Sequence, residues 1–216
     1  MRETSSLRTR IKICGITSPD AARAAEAAGC DAIGVVLWPR SKRYVDIATA
    51  AGIAQAVSPL VSVVGVFVDS PIEAIARARY TIGLDAVQLH GAMPDGDWKR
   101  LMSVVSLIRG LSIGSKGLEA ERHFGFSDYL LDSADANAHG GTGATFDWAL
   151  AAPFCDWGRI WLAGGLNPEN VGTAITTVRP FAVDVSTGVE SAPGQKSPDL
   201  MREFVNSVRR ADTGRG

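Results

Sequence analysis

Short apolar runs alternate with amphipathic segments along almost the whole chain. The apolar runs predict β-strands at Arg10–Cys14, Asp31–Val36, Val61–Val66, Ala86–Leu89, Val104–Ile108, Asp128–Leu131, Arg159–Ala163 and Ala182–Val185. The segments between them predict helices, among them Pro19–Ala28, Ile47–Val57, Ile72–Tyr80 and Pro168–Val178. A capping residue before proline supports three helix starts, at Ser18-Pro19, Ser70-Pro71 and Asn167-Pro168.

These strands are apolar along almost their full length, which is typical of a parallel sheet covered on both faces. Eight strand–helix units in 216 residues predict an α/β protein with a single-domain (β/α)8 TIM barrel over residues 1–216. An open, doubly wound sheet is the alternative, disfavoured because no Gly-x-Gly-x-x-Gly fingerprint follows the first strand. We expect flexible ends at about residues 1–9 and 211–216.

Composition and charge narrow the possible partners. Hydrophobic residues make up 46% of the chain, and 22 basic against 23 acidic residues give a formal net charge of −1. That balance argues against nucleic-acid binding, which needs a basic excess, so an acidic ligand requires a local site. The polar N-terminus resembles no signal peptide, and no apolar run reaches about 18 residues. We therefore expect a cytoplasmic protein with no membrane partner.

The three cysteines are widely spaced. Their spacing fits neither a zinc site nor a disulfide framework, so we expect reduced thiols and no metal. Cys30 follows a helix end and Cys155 lies in a loop, where structural roles are expected. Cys14 ends the first strand, and alternation points it into the barrel beside Lys12. A thiol beside a buried ammonium is a candidate base, although a small buried hydrophobe is the commoner fate of a cysteine.

Three further strand ends carry candidate chemistry, because barrel enzymes place their sites at the C-terminal ends of the strands. Asp132 follows the sixth strand, either as a solvated loop carboxylate or as an acid of the site. The basic, aromatic-flanked segment 37–44 follows the second strand, and its Arg43 offers a fork suited to an aryl carboxylate. Gln88 and His90 end the fourth strand, and His90 is either a core histidine or part of the pocket.

Glycine-containing turns follow the seventh and eighth strands. Such turns let backbone amides approach a ligand, and barrels commonly bind phosphate between these two loops. We predict a phosphate site formed by Gly164, Gly165, Ser186, Thr187 and Gly188. A further glycine-rich segment, residues 138–143, is a candidate mobile cover over the site.

The first and last strands of a closed barrel must pair, and alternation points Asp184 inward as it does Lys12. We therefore predict a buried Lys12–Asp184 ion pair beneath Cys14. The ammonium would favour the thiolate form of Cys14, and the carboxylate would prevent an unpaired buried charge.

Several of these segments together resemble the phosphoribosylanthranilate isomerase family. The resemblance runs from about Ile11 to Phe204, in the family's order of motifs. It rests on Lys12–Thr17, Pro39–Tyr44, Gln88–Gly91, Gly141–Gly143 with Phe146–Trp148, Gly164–Pro168 and Val183–Glu190. The sequence departs from the family at Ala144, where many relatives carry lysine, and in the less typical strand-5 segment Ser106–Gly110.

The resemblance implies an Amadori rearrangement of N-(5-phosphoribosyl)anthranilate to 1-(2-carboxyphenylamino)-1-deoxyribulose 5-phosphate in tryptophan biosynthesis. It implies neither a metal nor an organic cofactor, with Cys14 as general base, Asp132 as general acid and Arg43 on the anthranilate carboxylate. We also place Gln88, His90 and Asp184 among the substrate-binding residues. A phosphosugar substrate is the expected partner, and we expect a monomer.

Two other functions compete with this interpretation. The related isomerase of histidine biosynthesis, or a bifunctional form, usually relies on two aspartates, so Cys14 counts against it. A non-catalytic phosphometabolite-binding barrel would bind ligand without turnover. The presence of both candidate catalytic groups, Cys14 and Asp132, disfavours that reading.

Overall fold

Eight parallel strands close into a barrel in this computed structural model, which describes residues 8–92, 95–113, 125–132 and 147–214. The strands are β1 Arg10–Cys14, β2 Ala32–Val36, β3 Ser62–Val68, β4 Ala86–His90, β5 Ser106–Ser112, β6 Asp128–Asp132, β7 Arg159–Leu162 and β8 Ala182–Val185. Neighbours follow chain order, and β8 pairs with β1 to close the ring, with Lys12 opposite Asp184. The predicted (β/α)8 barrel is confirmed.

Helices occupy the connections between strands. They are α1 Pro19–Ala28, α2 Ile47–Ala54, α3 Ile72–Ile82, α4 Asp95–Met102, α5 Val171–Val178 and α6 Pro198–Thr213. Two 3-10 helices, Trp148–Asp156 and Thr187–Val189, follow β6 and β8. A short antiparallel hairpin, β9 Glu190–Ala192 with β10 Gln195–Lys196, then leads into α6.

Only one of the three predicted helix starts is confirmed. The Ser18 hydroxyl accepts a hydrogen bond from the amide of Ala21 and caps α1. Ser70 instead donates to the carbonyl of Val68 at 3.1 Å, because Pro71 takes the capping position of α3. Asn167 caps a turn, accepting from the amides of Glu169 and Asn170 at 3.0 and 2.9 Å. The helix predicted from Pro168 therefore begins at Val171.

The two ends of the described barrel contact each other. Thr9 donates to the carboxylate of Asp212 from its amide at 2.8 Å and from its hydroxyl at 2.7 Å. The last helix, α6, continues to Thr213. The expectation of flexible ends at about residues 1–9 and 211–216 stays a prediction, although this contact joins Thr9 to Asp212. Residues 1–7 and 215–216 lie outside the described residues.

Apolar side chains pack inside the barrel below the C-terminal ends of the strands. A cluster of buried residues fills the lower interior: Ala32, Val64, Ile108, Leu130 and Ala163. Above it, Cys14 packs with Val36 and Val66 near the C-terminal ends of their strands. Outward-facing residues such as Ile11 and Ile13 belong to the larger core between strands and helices. The interior is therefore packed below the mouth.

None of the helices in the described parts of the chain is long and apolar enough to cross a membrane.

Candidate active site

A cavity opens at the C-terminal end of the barrel. Its empty volume of about 790 Å³ includes space that is open to solvent. All residues that the sequence predicts for catalysis and binding line it: Cys14, Arg43, Gln88, His90, Asp132, Gly164, Gly165, Asp184, Ser186, Thr187 and Gly188. The eight strands therefore bring the predicted residues together in one place.

Beneath the cavity lies the predicted Lys12–Asp184 pair. Nζ of Lys12 donates to Oδ1 of Asp184 at 2.9 Å, and the lysine side chain is fully buried. Gly34 on β2 makes room above this pair. A Cβ at Gly34 would lie 2.8 Å from Sγ of Cys14 and 3.2 Å from Cε of Lys12. Only glycine at this position of β2 leaves room for the side chains of Cys14 and Lys12.

The protonation of Cys14 reflects two opposing effects. Burial raises the pKa of the Cys14 thiol, while the neighbouring Lys12 ammonium lowers it, and the net direction is upward. Burial also opposes the charge on Lys12, but Asp184 and Cys14 outweigh that effect and raise the pKa of the lysine. Lys12 is thus a cation that favours the thiolate, as predicted, yet it does not overcome the burial of the thiol.

The other two cysteines lie elsewhere. Cys30 is buried, and burial raises its pKa to about 12. Cys155 is exposed and lies in a 3-10 helix, not in the loop that the sequence suggested. Its Sγ lies 3.6 Å from the carbonyl oxygen of Val178. Neither cysteine lines the cavity.

Asp132 ends β6 and reaches the same cavity from another side of the barrel. Its side chain is partly buried, and its carbonyl accepts from the amide of Ile113 at 2.9 Å. In the ring of strands, β7 and β8 separate it from Cys14 on β1. A ligand in the cavity can therefore meet a carboxyl group and a thiol from different directions. The glycine-rich segment 138–143 and Ala144 lie outside the described residues.

Gln88 and His90 form a pair on β4. Nε2 of the amide lies 2.7 Å from Nε2 of the imidazole, and Gln88 is 3% exposed. Among the described residues, Oε1 of Gln88 is buried and has no hydrogen-bond partner. A Cβ at Gly110 on the neighbouring β5 would lie 2.3 Å from the imidazole ring of His90. Gly110, in the strand that departs from the family, therefore makes the space in which His90 lies.

The loops after β7 and β8 meet closely. Gly164 and Gly165 have φ values of +85° and +64°, the left-handed region that favours glycine. A Cβ at Gly188 would lie 2.0 Å from the carbonyl oxygen of Leu166, so glycine alone permits this contact. Gly164, Gly165 and Gly188 all line the cavity, so their amides are candidate donors for a phosphate.

Arg43 enters the cavity from the loop after β2, and Glu190 holds its guanidinium. Nε and Nη2 donate to the two carboxylate oxygens at 2.6 and 2.7 Å. Lys196 donates to the same carboxylate at 2.8 Å. Burial raises the pKa of Glu190, but the hydrogen bonds from Arg43 and Lys196 outweigh it and lower the pKa.

Sequence reasoning missed Lys196 altogether and gave Glu190 no role. The available signal was the Pro193-Gly194 turn, which predicts a hairpin that folds back along the end of β8. Gly194 has a φ of +79°. This hairpin folds back, so that Lys196 lies next to the loop that follows β8.

Comparison with known proteins gives consistent matches. A family model described as N-(5'phosphoribosyl)anthranilate (PRA) isomerase matches residues 11–207. An N-(5'-phosphoribosyl)anthranilate isomerase of Geobacter sp. strain M21 is 42% identical over 205 residues, covering 94% of this chain and 98% of the relative. This chain is thus similar to that isomerase over nearly its whole length.

Solved structures agree. A phosphoribosyl anthranilate isomerase in complex with reduced 1-(o-carboxyphenylamino)-1-deoxyribulose 5-phosphate is 38% identical, with a TM-score of 0.83, and the match covers 94% of this chain and 99% of that one. A crystal structure of monomers of the dimeric phosphoribosylanthranilate isomerase from Thermotoga maritima matches with the same identity, TM-score and coverage. The same barrel therefore underlies these relatives.

Proposed function

This chain belongs to the N-(5'-phosphoribosyl)anthranilate isomerase family, and we propose that Cys14 and Asp132 are the general base and general acid of its reaction. The reaction isomerises N-(5-phosphoribosyl)anthranilate to 1-(2-carboxyphenylamino)-1-deoxyribulose 5-phosphate, an Amadori rearrangement of tryptophan biosynthesis. The observation that carries the proposal is the meeting of both groups in one cavity, with the Lys12–Asp184 pair beneath the thiol.

The chemistry needs one acid and one base. Asp132 delivers a proton to the ring oxygen of the ribose, the ring C–O bond breaks, and the amine nitrogen supplies electrons to form a protonated imine. The Cys14 thiolate then removes the proton at C2′, and that bonding pair moves to give an enolamine. Tautomerisation of the enolamine yields the ketone. Lys12 supports the second step because its charge lowers the pKa of Cys14 against the effect of burial.

The two anionic ends of the substrate fit different corners of the cavity. Arg43, with its fork held by Glu190, lies where it can meet the anthranilate carboxylate. The amides of the loops after β7 and β8, Gly164, Gly165, Ser186, Thr187 and Gly188, are proposed to bind the phosphate.

Between these ends, three residues are proposed to contact the sugar and the ring. The unpartnered Oε1 of Gln88 offers an acceptor to a ribose hydroxyl. His90 and Asp184 line the same cavity and complete the proposed contacts. Each of these groups belongs to a barrel strand, so the fold fixes its position.

The proposed mechanism routes no step through a metal or an organic cofactor. A cytoplasmic location is proposed because a reducing compartment keeps the Cys14 thiol free, and Cys14, Cys30 and Cys155 are all unpaired. The expected monomer stays a prediction, since the Thermotoga maritima relative is described as dimeric.

Turnover of freshly made N-(5-phosphoribosyl)anthranilate by the purified protein tests the function. Loss of the aminobenzoate fluorescence of the substrate reports the reaction, and Cys30→Ser is the matched control because its thiol lies outside the cavity. We expect turnover by both proteins. Tight binding of the substrate without turnover would instead support a non-catalytic binding barrel.

A further inference from the structure

The hairpin after β8 returns the chain to the mouth of the barrel and buries a lysine there. The side chain of Lys196 is 0% exposed. Its Nζ donates to the carbonyl oxygen of Ser186 at 2.9 Å and to Oε1 of Glu190 at 2.8 Å, and lies 3.3 Å from Oγ of Ser186. Lys196 therefore connects the loop after β8 to Glu190.

Glu190 in turn connects Lys196 to Arg43. Its Oε1 accepts from both Nζ of Lys196 and Nε of Arg43, at 2.8 and 2.6 Å. Arg43 also donates from Nη2 to Oγ1 of Thr187 at 3.1 Å. The guanidinium is thus held in place by the same loop that contributes to the proposed phosphate site.

The charges of this cluster explain why a lysine is needed. The Arg43–Glu190 pair is neutral by itself, and the side chains are only 11% and 3% exposed. A neutral buried pair attracts an anionic ligand weakly. With Lys196, the cluster has two cations and one anion and so carries a net charge of +1. That positive charge lies at the mouth, where two anionic groups of a substrate must enter.

We propose that Lys196 is a positioning residue that acts through Glu190 and Ser186. It keeps the Arg43 cluster net positive and holds the loop after β8 against it, so that the carboxylate and phosphate ends of the substrate are bound by one connected unit. This inference rests on the proposed function, because it takes the anthranilate carboxylate and the sugar phosphate of that substrate as the ligand groups. Lys196 makes no proposed contact with the reacting atoms.

Lys196→Met tests the inference, since it keeps the apolar stem and removes the charge. The affinity for reduced 1-(o-carboxyphenylamino)-1-deoxyribulose 5-phosphate is measured by calorimetry, which needs no turnover. We expect Kd and KM to rise roughly tenfold, the scale of a unit charge several ångströms away, while kcat changes less than about threefold. Lys99→Met, an exposed lysine on α4, is the control for loss of one positive charge.

A second variant separates the loss of charge at Lys196 from the loss of packing. In Lys196→Met/Glu190→Gln the cluster regains a net charge of +1 from Arg43 alone. We expect this protein to bind the ligand more tightly than Lys196→Met. A Kd for Lys196→Met equal to that of the wild type, or no recovery in the double variant, overturns the inference.

The two proposals fail in different ways. If the wild type binds the ligand but does not turn over substrate, the proposed function fails, while the Kd values still decide the role of Lys196. If the wild type does not bind the ligand, the inference about Lys196 is wrong as well.

Discussion

Arg43 is the proposed partner of the anthranilate carboxylate. Glu190 fixes its fork at 2.6 and 2.7 Å, so the guanidinium is oriented before any ligand arrives. Arg43→Ala should cost about 1.5–3 kcal/mol of binding, the value of a charge-assisted hydrogen-bonded pair. KM should rise roughly ten- to hundredfold with little change in kcat, because the pair forms in ground and transition states alike.

Steady-state kinetics of Arg43→Ala and Arg40→Ala check this expectation. Arg40 lies in the same loop, is exposed and stacks over Trp38 at 5.2 Å, so its loss removes a charge without touching Glu190. An unchanged KM in Arg43→Ala would remove Arg43 from the site.

Gly110 controls the position of His90. Gly110→Ala places a methyl group 2.3–2.6 Å from the imidazole ring, which must move and lose its 2.7 Å contact with Gln88. We expect kcat/KM to fall by about tenfold or more, because small displacements of positioned groups are costly. Gly96→Ala on α4 meets nothing within 4 Å and serves as control. Wild-type kcat/KM in Gly110→Ala would show that the position of His90 has no part in the reaction.

The sequence predicted the positions of residues correctly where the alternation of side chains along a strand determines them. It failed where the conformation of a turn determines them. Lys12, Cys14 and Asp184 follow from the two-residue period of strands and the closure of β8 onto β1. Lys196 was not assigned, because its place depends on the two-residue turn Pro193-Gly194 between β9 and β10 and not on a period. Gly110 was noticed only as atypical, since its role depends on the register between β4 and β5.

At the scale of strands, the Lys12–Asp184 pair lies at the seam where the first and last strands meet. Lys12→Met leaves a buried carboxylate unpaired and should destabilise the fold by about 3–5 kcal/mol. Urea unfolding measures the loss. Lys12→Met/Asp184→Leu should recover much of it, because the stranded charge is gone. If both variants are equally unstable, packing at the seam matters and the ion pair does not.

The same substitution predicts a shift in pH dependence. Burial raises the pKa of Cys14 and Lys12 lowers it. Removing Lys12 leaves the effect of burial less opposed, so the thiolate forms only at higher pH. The rise of kcat/KM with pH should therefore move to higher pH in Lys12→Met.

The contact between the loops after β7 and β8 depends on Gly188. Gly188→Ala would bring a methyl group 2.0 Å from the carbonyl of Leu166, so the loops must separate and the amides of the proposed phosphate site must diverge. Inhibition by inorganic phosphate should weaken by about tenfold or more. Gly172→Ala on α5 meets nothing within 4 Å and should retain the wild-type inhibition constant. Equal inhibition of both variants would place the phosphate elsewhere.

The strands, which are buried on both faces, are the elements that the sequence predicted most accurately. Each predicted strand overlaps an observed one, and Arg10–Cys14 and Ala182–Val185 agree at both ends. The short hairpin β9–β10 and the two 3-10 helices were not predicted, because they are too brief to show a periodic pattern. The start of α5 was misplaced because Asn167 caps a turn that resembles a helix start in sequence.

On the scale of the whole molecule, the closed ring turns separate strand ends into one site. Cys14 and Asp132 are far apart in sequence and lie on β1 and β6, yet both line the same cavity. The sequence predicted this meeting through the barrel topology. It could not predict the balance of effects on Cys14, where burial outweighs the ammonium of Lys12, because burial depends on the packing of Val36 and Val66 around the thiol.

The pH profile of kcat/KM for wild type, Cys14→Ser and Asp132→Asn tests the central claim most directly. The raised pKa of Cys14 predicts that wild-type activity keeps rising on the alkaline side of the usual range of a thiol. Cys14→Ser should lose about 10²–10⁴-fold in activity, the usual contribution of a general base. Asp132→Asn should lose the limb of the pH profile that reports the protonated acid. The rise of kcat/KM with pH that reports Cys14 should not move. Near wild-type activity in Cys14→Ser would mean that another residue removes the proton, and the mechanism would be wrong.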